Sequence, residues 1–150
     1  MMFDRVLELL SGREAPATAS VDDLEIAVAA LLIEAARMDD HFDGVERTAI
    51  GRLLGAKFGH GPEQTAALVA AAEAAVARST QMFPFTREIC ARLDYDERVR
   101  IVEMLWTVAY ADGVLDPEED MLLRRIAGLI HVEDRDRGLA RQRALASLER

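Results

Sequence analysis

Two stretches of the chain are apolar on almost every side. Ile26 to Ile33 (IAVAALLI) is an unbroken apolar run, and from Ile101 to Ala111 (IVEMLWTVAYA) nearly every position is apolar or small. At helical spacing such a density leaves no polar face, so each predicts a central helix buried on most of its circumference. The remaining apolar positions recur every three or four residues, as on helices with one buried side. Residues 3 to 11 carry Phe3, Val6, Leu7 and Leu10 before Ser11-Gly12 stops them, and Arg13 to Ser20, with Pro16, reads as a flexible linker.

The first central helix begins near Ser20 to Asp23 and runs to about Met38. Asp43 caps the next helix, with Val45, Ile50, Leu53, Leu54 and Phe58 on one side, until Gly59-His60-Gly61 ends it and Pro62 opens an alanine-rich helix to about Thr80. Phe83-Pro84-Phe85 breaks the pattern, and Thr86 is placed to cap a short helix carrying Ile89, Cys90 and Leu93. Asp94 with Glu97 has capping-box spacing for the second central helix. Gly113 suits a left-handed stop, and Asp116-Pro117-Glu118-Glu119 opens a helix that carries Met121, Leu122, Ile126, Leu129 and Ile130 and ends near His131. A last, charged helix follows from 134, with Leu139, Ala140, Leu145 and Leu148 as its buried stripe.

One unit occurs twice. Shifting Asp39 onto Asp112, an offset of 73 residues (112 − 39), superposes Phe42 on Leu115, Asp43 on Asp116, Glu46 on Glu119 and Arg52 on Arg125. Both copies read Ala-x-x-Asp-x-x-apolar-Asp-x-x-Glu, a helix, a tight turn and a second helix. Duplication of this kind predicts two helix pairs that bury their apolar faces against each other. The expected fold is all-α, a single domain of seven to eight helices, with two pseudo-repeated helix-turn-helix pairs around the two central helices.

The same segments carry a family resemblance. VEMLWTVAYADGVLDPEEDMLLRRIAGLIHV, with LLIEAARMDDHFDGVERTAIGRLL upstream and MFPFTREICARL between them, resembles the bacterial TerB-like family, named after a tellurite-resistance protein. The likeness spans roughly residues 24 to 148. It divides the chain into residues 1–20, an N-terminal helix and flexible linker, and residues 21–150, the TerB-like helical domain. The resemblance implies a helical, cytoplasmic protein linked by name to tellurite and stress resistance, and no settled activity beyond proposals of metal binding by acidic residues.

Composition narrows the classes. At 150 residues the chain can bury one core without disulfides, and aromatic content of 5% with abundant alanine favours helix over sheet. A formal charge of −9 repels a phosphate backbone, and the run Arg135, Arg137, Arg141, Arg143 is interleaved with Glu133, Asp134 and Asp136, so nucleic-acid binding is not expected. The single cysteine, Cys90, is expected in the core and in a reducing compartment. No basic-then-apolar leader pattern opens the chain, and the longest apolar run falls far short of the ~20 residues of a membrane span. A soluble, cytoplasmic protein without membrane insertion is expected.

The chemistry on offer is carboxylate chemistry. Asp39, Asp43 and Glu46, with their counterparts Asp112, Asp116 and Glu119, sit at a helix end, the next helix start and one turn inside it. Six carboxylates converging would suit a hard divalent cation, Ca²⁺, Mg²⁺ or Mn²⁺. Capping alone accounts for Asp43 with Glu46 and Asp116 with Glu119, since acids at helix N-termini satisfy orphan N–H groups and the dipole; Asp39 and Asp112, at helix C-termini, would serve the turn. The pattern is not an EF-hand, because position twelve counted from Asp39 is Ile50, and position three from Asp112 is Val114. His41, His60 and His131 have no metal-ligand spacing, Trp106 and Tyr110 read as core, and no phosphate loop, nucleophile elbow or Cys–His arrangement is present. The expectation is a non-catalytic TerB-like module that acts through a protein partner in a tellurite or metal stress response and holds a divalent cation at the duplicated turn. A dedicated cation-binding or sensing protein is the alternative, and a Mg²⁺- or Mn²⁺-dependent hydrolase the third reading; homo-oligomerisation is left open.

Overall fold

Capping, breaker and periodicity signals divide the described residues into seven helices: α1 (Asp23–Arg37), α2 (Gly44–Phe58), α3 (Pro62–Arg78), α4 (Thr86–Arg92), α5 (Tyr95–Ala109), α6 (Pro117–Leu129) and α7 (Asp134–Leu148). The structure is a computed structural model and describes residues 23–37, 44–80, 83–111 and 117–148, among which no strand occurs. The helix and linker expected before Ser20, and the turn residues around His41 and Gly113, lie outside the described residues.

The two apolar stretches become α1 and α5, and both are central. Ile26 to Ile33 is fully buried, and Ile101, Val102, Leu105, Trp106 and Val108 are buried on several sides of α5. One hydrophobic cluster joins residues from all seven helices, so the chain folds around a single core. α1 packs chiefly on α3 and α5 chiefly on α7, with α2 lying against α1, α3 and α5.

Helix ends are closed by the chemistry their residues supply. Asp94 accepts from the Glu97 N–H at 2.8 Å and the Glu97 carboxylate accepts from the Asp94 N–H, the reciprocal capping box expected for α5. α2 ends with Gly59 at φ 69° while the His60 N–H bonds the Gly55 carbonyl at 3.0 Å, a Schellman closure. α6 closes the same way, the Val132 N–H reaching the Ala127 carbonyl, with His131 in the left-handed position at φ 59°. Arg98 on α5 donates to the Leu93 and Ile130 carbonyls, so one guanidinium satisfies carbonyls at the ends of both α4 and α6. Pro62 stands in the first turn of α3, as expected.

Several sequence expectations are corrected in detail. Thr86 does not cap α4; Phe85 holds that position, and the Thr86 hydroxyl instead donates to the Phe83 carbonyl at 3.0 Å. On α7 the buried line is Ala140 and Ala144, while Leu139 and Leu148 are exposed, because the bulky face of α5 is met by small residues and the leucines flank the contact. Val45 on α2, and Met121 and Leu129 on α6, likewise face outward rather than into the core. Cys90 is half-buried against the core and donates to the Leu129 carbonyl, and burial pushes its thiol pKa up, away from thiolate chemistry.

Candidate cation site

α2 and α6 each begin with an acidic first turn, Glu46 on one and Glu119 on the other. Their placement near the N-terminus is favoured by the helix dipole, which explains why either residue is tolerated there as an anion. It does not explain where they point. Glu46 is 3% exposed, and Glu119 is half-buried.

Both line the same cavity, about 20 Å³ in volume, at the junction of α1, α2, α5 and α6. That is room for one water or one ion. The remaining walls are Leu32, Ala35 and Ala36 of α1, Leu105, Val108 and Ala109 of α5, and Leu122 and Leu123 of α6. The wall residues fall into pairs at a single separation: Leu32 with Leu105 (105 − 32), Ala35 with Val108 (108 − 35), Ala36 with Ala109 (109 − 36) and Glu46 with Glu119 (119 − 46), each 73 apart. Leu122 and Leu123 would pair with Ala49 and Ile50, which are also buried.

Of the six acids singled out in the sequence, the structure therefore brings Glu46 and Glu119 together. Asp39, Asp43, Asp112 and Asp116 lie outside the described residues, and among the described residues no group of three or more His, Cys, Asp or Glu side chains forms a metal site. The apolar wall was missed from sequence, although its signal was present: the 73-residue offset that pairs the acids also pairs the leucine and alanines of the two central helices.

Apart from these two carboxylates, the cavity is walled by apolar side chains. Both groups offer oxygen atoms, the donor type that hard divalent cations take.

A second buried acid lies elsewhere on α1. Glu34, 8% exposed, accepts a hydrogen bond from the Phe83 N–H, while its other oxygen, Oε1, is buried with no hydrogen-bond partner among the described residues. Burial raises its pKa above the ordinary value, with the Phe83 hydrogen bond working in the opposite direction.

An all-α domain with two acidic side chains lining one small cavity is thus the class of protein defined by the structure. Residues 25–142 match the family described as Tellurite resistance protein TerB, and the chain belongs to that family. No curated protein and no solved structure matches the chain. Among the described residues no helix is long and apolar enough to cross a membrane.

Proposed function

We propose that the chain is a non-catalytic TerB-family module in which a divalent cation ties the two helix-turn-helix pairs together, and which acts through a protein partner in a metal or tellurite stress response. The observation that carries the cation is the sharing of one cavity of about 20 Å³ by Glu46 and Glu119. Helix dipoles favour each carboxylate singly, and a cation between the two would hold both. Asp39, Asp43, Asp112 and Asp116 are further carboxylates that the sequence sets in the segments leading into α2 and α6. Ca²⁺, Mg²⁺ or Mn²⁺ fits such a donor set. The partner rests on the family and on the formal charge of −9, which disfavours nucleic acid.

Thermal unfolding of chelator-treated protein, titrated with each ion, tests the cation. An ion at about 100 times its Kd stabilises the fold by about 2.7 kcal/mol, a rise on the order of 5–10 °C for a chain of this size. Glu46→Gln and Glu119→Gln should each abolish the rise. If no ion shifts the transition, and the two variants change only the basal melting temperature, the acids are helix caps and the proposal fails.

A further inference from the structure

Of the 18 lysine and arginine side chains in the sequence, Lys57 is the only lysine. Arginine keeps its proton at any physiological pH, so Lys57 carries the one side-chain amine that can act as a nucleophile. It stands half-buried in the last turn of α2, a helix that lies against α5. Its Nζ is 5.8 Å from the centre of the Phe58 ring.

The surroundings of this amine differ from those of the other cations. Arg47, Arg92, Arg124, Arg137 and Arg143 each pair with a carboxylate at 3.2 Å or less, whereas Lys57 makes no hydrogen bond or ion pair among the described residues. Glu97, the acid of α5 that acts on it, has its carboxylate engaged by the Asp94 N–H in the α5 capping box. Arg100, one turn further along α5, sets a second positive charge against it. Burial lowers the pKa of the amine below the ordinary lysine value; Glu97 opposes that shift and Arg100 adds to it. A desolvated lysine beside another cation is the arrangement that makes an amine nucleophilic at neutral pH.

We propose that Lys57 is a covalent acylation site, which takes its acyl group directly from an acyl phosphate. The donor class follows from Arg100, whose exposed guanidinium suits the dianionic phosphate of such a molecule. In the reaction the Nζ lone pair attacks the carbonyl carbon, the N–C bond forms, and the C–O bond to phosphate breaks with its electron pair leaving on the phosphate. The proton lost from nitrogen passes through solvent to that phosphate. Amine and acyl phosphate thus become amide and inorganic phosphate, and the balance needs no oxidant or further reactant. Acylation takes the formal charge from −9 to −10 (−9 − 1) and leaves no cation opposite Arg100. The seam between α2 and α5 then carries a charge switch, independent of the cation reading.

The test incubates the full chain with acetyl phosphate at about pH 7.5, where an ordinary lysine is almost wholly protonated. Intact mass and peptide mapping follow Lys57 in the folded chain and in the same chain unfolded in guanidinium chloride, each rate scaled to that of N-α-acetyl-lysine in the same solvent. Lys57 should react at least about threefold faster when folded. Arg100→Glu, with circular dichroism confirming its fold, should slow the folded reaction by about the same factor. A faster reaction on unfolding would mean an amine that the fold only hides, and equal scaled rates an ordinary lysine; either overturns the proposal, as does an Arg100→Glu chain that reacts like the parent.

Discussion

Glu34 shows how a single side chain can work against the fold that holds it. Its carboxyl has a folded-state pKa raised by burial above the unfolded value. The folded chain therefore binds the proton more tightly, and Glu34's contribution to stability is full below the unfolded pKa and lost as pH rises through the folded one. At neutral pH the buried charge is a liability. Glu34→Gln, which keeps an acceptor for the Phe83 N–H, should raise the urea midpoint at about pH 7.5, and the gain over the parent should vanish at about pH 4, where the parent is also neutral. An equal gain at both pH values would assign the effect to packing.

At the scale of the helix, the α5–α7 contact depends on what is missing from it. Ala140 and Ala144 are fully buried, and their small size brings α7 against the face of α5 that presents Trp106 and Tyr110. Arg141 then reaches over both rings, 5.4 Å from the indole centroid, and donates to the Tyr110 hydroxyl at 2.9 Å. The Tyr95 hydroxyl adds a link by donating to Asp136 and accepting from the Glu133 N–H. Ala144→Leu should cost about 1–3 kcal/mol by overpacking this seam, measured as a fall in the urea midpoint. The same contact marks where sequence reading stops. Helix existence was legible because caps such as Asp94 and breakers such as Gly59 act locally, within a turn of where they stand. Which stripe of α7 faces inward was not, since intrinsic hydrophobicity ranks Leu139 and Leu148 above Ala140 and Ala144, and only the shape of α5 reverses that order. For the acid pair, the offset of 73 made Glu46 and Glu119 equivalent on paper, but their meeting in one cavity depends on how four helices pack.

For the whole molecule, the excess of acids sets the electrostatics. With a net charge of −9, self-repulsion acts on the compact state, while the ion pairs it retains, such as Arg124–Asp120 and Arg92–Glu88, are exposed and of little individual worth. Raising NaCl from about 20 to about 200 mM shortens the Debye length several-fold and should raise the melting temperature. A fall on adding salt would mean that attractive pairs outweigh the net repulsion.

The only tryptophan in the chain is Trp106, which is 1% exposed, stacks on Tyr110 and has its indole N–H without a hydrogen-bond partner among the described residues. An indole held this dry emits towards the blue, and it shifts to the red once water reaches it. Its neighbour in sequence, Leu105, forms part of the wall shared by Glu46 and Glu119. The molecule thus carries its own lamp beside its acid pair, and light from one residue can report whether the core has opened without any label being added.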